Sequence, residues 1–380
     1  MFNSFFMAGF ECATHRRRDG VRVDSIAAQA HDRFAAADYR RARALGLRTA
    51  RDGLRWHLIE PEPGRHDWSS WRPMLAAARE AGVQVIWDLW HYGTPDWLDI
   101  WSPAFPDRLA AFATAAARLF REESDAVPWW CPANELSFYS FIAGEVGDFH
   151  PYALERGFAL KQALARAAIA ASEALLDVDP RARLLWAEPL IEAHPKSHDP
   201  ADVEAAAAFN RAQYQACDMI AGRMAPELGG RPELLDLVGV NFYPHNQWVL
   251  GSGGGVPFGH HAFRPLSDML AEVHARYGRP LLVAETGAEG SGRAPWFHYV
   301  CQEVESAVED GVPVKGVCLY PVLNYPGWDD DRHCATGLFG PAGADGAREV
   351  YQPLAEELER QERRRTARRR AGPRLLQRVG

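Results

Sequence analysis

The stretch VQVIWDLW, residues 83–90, is a short and nearly continuous run of apolar residues between helix-like segments. A strand with this pattern is typical of a parallel sheet that is buried on both faces. Runs of the same kind recur at 4–10, 48–53, 128–135, 183–189, 236–243, 280–287 and 314–321. The sequence therefore predicts eight strands of one parallel sheet.

The segments between these strands have the spacing of one-faced helices. In DRLAAFATAAARLFREE, residues 107–123, the apolar positions recur every three or four residues and predict a buried stripe on one side. Eight strands that alternate with helices favour a single α/β domain, a (β/α)8 TIM barrel, over a doubly wound sheet. We predict that residues 1–362 form this barrel, with long βα loops at its catalytic face.

Charge and cysteine content narrow the class of protein. The formal net charge of -8 argues against a barrel that binds nucleic acid, because phosphate groups require a basic surface. The six cysteines are scattered without a CxxC pair, so neither a zinc ribbon nor a disulfide framework is indicated. Small-molecule chemistry with reduced thiols is the expectation.

The N-terminal sequence MFNSFFMAGF is apolar but lacks the basic segment of an export signal. The chain also has no run of about 18 apolar residues, which a membrane-spanning helix needs. We interpret the first segment as a barrel strand. These features predict a cytoplasmic protein that does not enter a membrane.

The C-terminal end differs in composition from the rest of the chain. The segment from Arg360 to Arg378 carries nine arginines. Its first part can extend a helix that packs through Val350, Tyr351 and Leu354, and we predict a solvated, mobile tail over residues 363–380. A weak contact of this tail with nucleic acid or an anionic surface is the alternative.

In a (β/α)8 barrel, the C-terminal ends of the strands meet at one face, where active sites form. Glu135 and Glu285 end the predicted fourth and seventh strands, which face each other across an eight-stranded ring. The other polar residues at or just beyond strand ends are Glu11, Arg51, His91, Asn134, Glu188 and Tyr243. We expect these side chains to surround one pocket.

Two opposed carboxyl groups are what the hydrolysis of an acetal requires. One must be protonated to assist the leaving oxygen, and the other must be ionised to attack or stabilise the anomeric carbon. A charge on one carboxyl group raises the pKa of the other, and a nearby guanidinium decides which of the two stays ionised. Arg51 is the candidate for the guanidinium that keeps one carboxyl group ionised. Hydrolysis by two carboxyl groups needs neither a cofactor nor a metal.

Six segments, kept in order along nearly the whole chain, resemble glycoside hydrolase family 1. The catalytic motifs of that family are matched by ANE at 133–135 and VAETG at 283–287. The remaining four are ALGLRTARDGLRWHLIEPEPGRHDW at 44–68, WDLWHYGTPDWL at 87–98, NFYPHN at 241–246 and YPVLNYPGWDDDRHCATGLFG at 320–340.

The resemblance implies a retaining β-glycosidase of the large (β/α)8 glycosidase clan, clan A. Glu135 matches the acid/base residue of the family, and Glu285 matches its nucleophile. Asn134 is expected to hold the 2-hydroxyl of the sugar, while Arg51 and Tyr243 are expected to hydrogen-bond the nucleophile. The implied activity is β-glucosidase-like.

Further positions are expected to contact the reacting sugar. His91 and Trp328 match residues that line its subsite, and Glu11 or His15 is expected to substitute for a family glutamine on the first strand, which has no direct counterpart. The chain departs from the family at Leu136, where a proline is usual, and at Gly327, where a glutamate grips remote hydroxyl groups. These departures bear on which sugar is accepted, rather than on the catalytic pair.

Other classes of protein fit the residues less well. A metal-dependent barrel hydrolase needs clustered histidines at strand ends, and the first strand has no HxH. A dinucleotide-binding oxidoreductase needs GxGxxG after the first strand, where the chain has AGFECATH. Two alternatives stay open: a sugar-binding or scaffolding barrel that has lost turnover, and a transglycosylase of the same clan. A small carbohydrate or glycoside is the expected partner, and the sequence leaves the sugar and the oligomeric state open.

Overall fold

The computed structural model describes residues 1–371, and a closed barrel of parallel strands lies at its centre. The strands in chain order are β1 Phe6–Gly9, β2 Thr49–Gly53, β3 Gln84–Asp88, β4 Trp129–Cys131, β5 Arg183–Pro189, β6 Glu192–His194, β7 Leu237–Asn241, β8 Gln247–Val249, β9 Leu281–Thr286, β10 Val314–Leu319, β11 Tyr325–Pro326 and β12 His333–Cys334. The barrel closes in the order β1-β2-β3-β4-β5-β7-β9-β10. Each of these strands lies within a predicted segment, so the (β/α)8 prediction is confirmed.

Helices follow the strands and form the outer layer of the barrel. They are α1 Ser25–Ala28, α2 His31–Ala44, α3 Trp56–Ile59, α4 Arg72–Ala81, α5 Phe105–Glu123, α6 Leu136–Tyr139, α7 Gly157–Val178, α8 Pro200–Ala212, α9 Gln215–Ile220, α10 Leu266–Tyr277, α11 Arg293–Glu309 and α12 Gln352–Ala371. A π-helix, Ser140–Val146, continues α6. The predicted apolar stripe of α5 is buried, which confirms its orientation towards the sheet.

The strand residues separate into two apolar layers because successive side chains point to opposite faces of a strand. One layer also contains helix residues and fills the space between barrel and helices; Trp87 and Trp130 belong to it. The other layer contains no helix residue and therefore fills the barrel interior. Its buried members are Met7, Ile86, Trp129, Cys131, Leu185, Ala187, Leu237, Leu282, Ala284, Cys318 and Tyr320.

Long connections follow several strands at the C-terminal end of the barrel. They cover residues 10–24 after β1, 89–104 after β3, 242–265 after β7 and 320–351 after β10. The strand β8 in the connection after β7 pairs with β6, which lies in the connection after β5, and β11 pairs with β12 in the connection after β10. The long βα loops that were predicted thus surround the barrel mouth.

The predicted C-terminal tail begins later than residue 363. Residues 363–371 continue α12, which is anchored upstream by the buried side chains of Leu354 and Leu358. Arg364 and Arg368 lie 3.3 and 3.2 Å from the Glu305 carboxylate of α11. Ion pairs with α11 therefore accompany the helix into the Arg-rich segment, so residues 363–371 are helical, and the mobility of the tail stays a prediction. The remainder, 372–380, lies outside the described residues.

Two features bear on the class of protein. Among the described residues, no helix combines the length and apolarity that crossing a membrane requires. All six cysteines are buried as free thiols. The prediction that they form no disulfide framework is confirmed.

Candidate active site

Arg51 joins four barrel strands at the C-terminal end of the barrel. Its side chain is only 1% exposed. It donates to Asp88 on β3 through Nε at 3.0 Å and Nη2 at 2.6 Å, and to Glu285 on β9 through Nη1 at 2.8 Å. Nη2 also donates to Asn134 Oδ1, beyond β4, at 2.7 Å. Burial opposes the guanidinium charge, but Asp88 and Glu285 raise the Arg51 pKa well above its usual range.

An irregularity in β9 turns Glu285 towards the mouth. Val283 packs in the outer layer and Ala284 in the interior, so simple alternation would direct Glu285 towards the helices. The pairing with β7 shifts here, from Val240 opposite Val283 to Asn241 opposite Glu285. The extra residue is a β-bulge, a device that re-aims side chains beside active sites.

The Glu285 carboxyl group receives one donor on each oxygen. Arg51 Nη1 lies 2.8 Å from Oε1, and the Tyr243 hydroxyl donates to Oε2 at 2.8 Å. Both predicted contacts of Glu285 are present in the structure. A carboxyl group with a guanidinium on one oxygen and a hydroxyl on the other is held in one orientation, with its charge compensated.

The backbone at Glu135 adopts a left-handed conformation, with φ 45° and ψ 61°. This conformation costs a residue other than glycine about 1 to 2 kcal/mol, and such strain is typical of functional sites. The Glu135 N–H donates to the Ala187 carbonyl at 2.9 Å. The Glu188 carboxyl group accepts the N–H groups of Leu136 and Ser137 at 2.7 and 3.0 Å, so it caps the start of α6. Glu188 therefore supports the turn that presents Glu135.

The Glu135 carboxyl group has a different environment from that of Glu285. Asn241 Nδ2 donates to Oε1 at 2.8 Å and the Tyr92 hydroxyl donates to Oε2 at 2.5 Å, so both partners are neutral. Glu135 is only 8% exposed. This burial, together with the charge of Glu285, raises the pKa of Glu135 to about 8. Glu135 is therefore mostly a neutral acid at pH 7.

Hydrogen-bond logic fixes the orientation of the amide and the imidazole at the pocket floor. Because Arg51 can only donate, the Asn134 atom that faces it is the oxygen, and the amide nitrogen faces His91 Nε2 at 3.1 Å. His91 Nε2 must then accept, which places the ring proton on Nδ1, 2.9 Å from Asp88 Oδ2. The Asn134 amide also donates to Tyr92 at 3.0 Å. Asp88 thus orients both Arg51 and His91.

Cys12, Asp88 and His91 form a buried cluster with donor atoms close enough to suit a metal ion. Cys12 Sγ lies 3.2 Å from His91 Nδ1 and 3.9 Å from Asp88 Oδ2. The same Asp88 oxygen already accepts from Arg51, which supplies a positive charge there. Burial, followed by the charge of Asp88, raises the Cys12 pKa well above its usual range, which favours the thiol over the metal-binding thiolate. The geometry fits a hydrogen-bond network better than a metal site.

Glu11 borders the network from the strand-one side. Its Oε1 accepts the Ala13 N–H at 2.9 Å and lies 3.9 Å from His91 Nε2. Burial and the nearby charge of Glu285 raise the pKa of Glu11 to about 7, although His91 and Arg51 oppose this shift. A buried acid at this position adds negative charge to the pocket when it ionises.

Trp328 lies above the network in the loop that follows β10. Its ring is partly buried, with centroids 5.7 Å from Tyr92 and 5.5 Å from His15. The indole N–H has no hydrogen-bond partner among the described residues. This N–H is enclosed, so it is the aromatic face of Trp328 that suits contact with a sugar ring, whose C–H face is apolar.

The predicted site residues come together in the structure. Six of them share one hydrogen-bond network, while Glu11 adjoins it through His91 and Trp328 through the ring of Tyr92. The six are Arg51, His91, Asn134, Glu135, Tyr243 and Glu285.

Sequence reasoning missed three residues of the network: Asp88, Tyr92 and Asn241. Asp88 and Asn241 could have been found by alternation, since each follows an inward-facing residue by two positions on its strand. Tyr92 follows β3, and its side-chain direction depends on a positive φ of 71° that no pattern predicts.

A comparison with known protein families finds none that matches this sequence, and a comparison with curated proteins finds no relative. Solved structures do resemble it. The AHE enzyme from Alicyclobacillus herbarius has a TM-score of 0.77 at 17% identity, over 94% of this chain and 98% of that one. The β-glucosidase from Thermotoga maritima in complex with glucoimidazole has a TM-score of 0.74 at 16% identity, over 94% and 97%.

A β-glucosidase of family 1 from Exiguobacterium antarcticum has a TM-score of 0.77 at 15% identity, over 96% of this chain and 98% of that one. Coverage of this extent means that the whole barrel with its loops is shared. Identities this low establish the likeness at the level of the fold. The fold of this chain is therefore that of the family 1 β-glucosidases.

Proposed function

We propose that the chain is a retaining glycoside hydrolase that cleaves β-glycosidic bonds with Glu285 as nucleophile and Glu135 as acid/base, within one catalytic barrel. The observation that carries this proposal is the unequal environment of the two glutamates. Glu285 is held by the charged Arg51 and by Tyr243, whereas Glu135 has only neutral partners and a pKa of about 8. A carboxyl group that keeps its proton, opposite one held by a guanidinium, is the arrangement that acid-assisted displacement needs.

In the first step, the Glu285 carboxylate attacks the anomeric carbon and forms a glycosyl ester. The bond from that carbon to the leaving oxygen breaks, and the Glu135 proton moves to this oxygen. Arg51 keeps a hydrogen bond to Glu285 Oε1, which leaves the Oε2 side, shared with Tyr243, as the attacking oxygen. The aglycone leaves as a neutral alcohol.

In the second step, water attacks the same carbon and releases Glu285 as a carboxylate. The departed aglycone has left Glu135 ionised, so it accepts the proton of this water and returns to its acid form. Asn134 is proposed to bind the 2-hydroxyl of the sugar, and the Arg51 contact holds its amide in place. His91 and Trp328 are proposed to line the remainder of the sugar site.

The neighbouring structures support a carbohydrate as substrate. The Thermotoga maritima β-glucosidase was crystallised with glucoimidazole, with isofagomine lactam and with deoxynojirimycin, which are sugar-like inhibitors. A β-glucoside is accordingly the first substrate to test for this chain. A neutral pocket floor of amide, imidazole and phenol groups suits sugar hydroxyl groups as hydrogen-bond partners.

Paired substitutions separate this proposal from a barrel that only binds sugars. Glu285→Gln should abolish turnover of aryl β-glycosides and leave the fold intact. Glu135→Gln should slow the first step far more for poor leaving groups than for very good ones, because only the former need the proton. The matched control is Glu227→Gln, an exposed residue in the connection that leads into β7. Near-normal rates for Glu285→Gln would refute the assignment.

A further inference from the structure

The acidic groups of the site outnumber the basic group that neutralises them. Glu11, Asp88 and Glu285 face one guanidinium, and Arg51 is already hydrogen-bonded to Asp88 and Glu285. Glu11 does not contact Arg51 by a hydrogen bond, and Oε1 is its one bonded oxygen among the described residues. A charge on Glu11 therefore has no hydrogen-bonded cation within the network, and its nearest basic group is His91, with Nε2 3.9 Å from Oε1.

The second oxygen of Glu11 is available to a ligand. No described residue lies within hydrogen-bonding distance of Oε2, yet this atom is not among the enclosed polar atoms that lack a partner. Oε2 therefore retains a small solvent-exposed area, and His91 of the network lies beside the carboxyl group, with Nε2 3.9 Å from Oε1. The residue as a whole is buried, so a group that meets Oε2 must be one that has entered the sugar site.

The surroundings of Glu11 favour positive charge. Four tyrosines lie close enough for a charge on Glu11 to add to the rise that burial causes in their pKa: Tyr92, Tyr243, Tyr320 and Tyr325. Aromatic rings attract cations through their electron-rich faces, and a desolvated pocket strengthens that attraction. A carboxyl group set among tyrosines is an arrangement that can bind an ammonium group.

We propose that Glu11 sets the charge preference of the sugar site, so that it accepts glycosides whose sugar is neutral or carries an ammonium group and rejects sugars that carry a carboxylate or phosphate. This inference rests on the proposed function. At pH 8 Glu11 is mostly ionised, because its pKa is about 7, and uptake of a proton beside an anionic sugar would then cost about tenfold in binding. Glu285, as a second like charge about 5 Å away at an effective dielectric constant of about 20, disfavours an anion by more than about a hundredfold. An anionic sugar would meet this repulsion from both Glu11 and Glu285.

The test compares kcat/KM at pH 8, above the Glu11 pKa of about 7, for 4-nitrophenyl β-glycosides of similar shape: the glucoside, its 3-amino-3-deoxy and 6-amino-6-deoxy analogues, the glucuronide and the glucoside 6-phosphate. The wild-type protein should use the two anionic substrates at least about a hundredfold less well than the glucoside. Glu11→Gln keeps the shape and removes the charge. For this variant, kcat/KM of the better amino-deoxy substrate relative to the glucoside should fall by about tenfold or more. The values of kcat/KM of the two anionic substrates relative to the glucoside should rise by about tenfold or more.

Two further variants keep the test specific. Glu11→Asp retains the charge and should largely preserve both ratios, and Glu227→Gln removes an exposed carboxylate before β7 and should leave them unchanged. Thermal unfolding reports whether each variant is folded. A wild-type protein that hydrolyses the glucuronide or the phosphate as well as the glucoside would overturn the inference, as would unchanged ratios in Glu11→Gln.

The outcome also separates this inference from the proposed function. Hydrolysis of the glucoside without any charge preference refutes the inference and leaves the hydrolase proposal intact. If no glycoside is cleaved, thermal shifts with glucose, its 6-amino-6-deoxy analogue and glucuronic acid decide the question. Stabilisation by the ammonium sugar that Glu11→Gln loses would preserve the charge preference in a binding protein. No stabilisation by any sugar would refute both proposals.

Discussion

Replacement of Glu135 by glutamine should stabilise the protein at alkaline pH. The buried Glu135 carboxyl group has a pKa of about 8, compared with an ordinary value of 4.5 for a glutamate in water. Between these two values the folded state holds a proton that the unfolded state has released. The folded state binds more protons, so the free energy of unfolding falls as the pH rises. Glutamine keeps the size and polarity of the side chain and removes this titration.

The size of the effect follows from the two pKa values. Each pKa unit corresponds to about 1.36 kcal/mol, so a shift from 4.5 to about 8 costs roughly 5 kcal/mol once the pH exceeds 8. Below about pH 4.5 the carboxyl group is neutral in both states, and the variant should differ little from the wild type. The Asn241 amide can still donate to the carbonyl oxygen of glutamine, and the Tyr92 hydroxyl can accept from its amide.

Urea unfolding of the wild type and Glu135→Gln at pH 5, 6, 7, 8 and 9 measures the difference directly. The free energy of unfolding of the variant should rise relative to the wild type by roughly 1.4 kcal/mol per pH unit and then level off above pH 8. Glu227→Gln serves as the control for loss of a carboxylate. A difference for Glu135→Gln that stays constant within about 1 kcal/mol from pH 5 to 9 would show that Glu135 is not a protonated acid in the folded protein.

Four other predictions concern the same network and the fold behind it. The pH profile of kcat/KM should fall about tenfold per pH unit above pH 8, where the Glu135 acid is lost, and a profile that is flat to pH 10 would contradict its role. Asp88→Asn, which leaves Arg51 with one carboxylate fewer, should lower the free energy of unfolding by about 3 kcal/mol and also reduce kcat; unchanged values of both would contradict its positioning role. Tyr243→Phe removes a hydrogen bond to the proposed nucleophile and should lower kcat/KM by about ten- to a hundredfold. An unchanged kcat/KM would count against that contact. His31 is buried and burial lowers its pKa, but two aspartates raise it to about 9, so His31→Gln should destabilise the protein at pH 7 and less so as the pH rises through 9; a pH-independent difference in urea unfolding would exclude the ion pair.

The barrel could be predicted from the sequence because its pattern is repeated. Apolar runs such as VQVIWDLW are buried on both faces, and each recurs after an amphipathic helix. The same regularity places Arg51 and Asp88 inside the mouth. The preceding residues, Ala50 and Trp87, pack against the helices, so the next side chain on each strand points to the opposite face. Repetition over eight units fixes the fold even though individual strand ends are predicted to within only a few residues.

The direction of the catalytic candidates could not be derived from pattern alone. Alternation along β9 would turn Glu285 away from the pocket, and a bulge after Val283 corrects this. Glu135 depends on a left-handed backbone conformation that a glutamate seldom adopts. In both cases the rule that fails is local, and it fails at the proposed site, where strained and irregular backbone is expected.

The extent of α12 was also beyond the sequence pattern. Successive arginines after Glu362 indicate a solvated tail, but helix residues up to Ala371 are present, and Arg364 and Arg368 pair with Glu305 on α11. Glu305 lies 59 positions before Arg364 in the chain. Long-range ion pairs of this kind cannot be inferred from the composition of the tail.

The most direct test of the central claim is the intact mass of the protein after incubation with a panel of 2-deoxy-2-fluoro β-glycosides that carry good leaving groups, followed by peptide mapping. The fluorine slows hydrolysis of a glycosyl ester, so a retaining enzyme accumulates it. The account predicts a stable adduct of one sugar on Glu285 in the wild type and none in Glu285→Gln. An adduct on another residue, or steady turnover of an ordinary glycoside without any adduct across the panel, would contradict it.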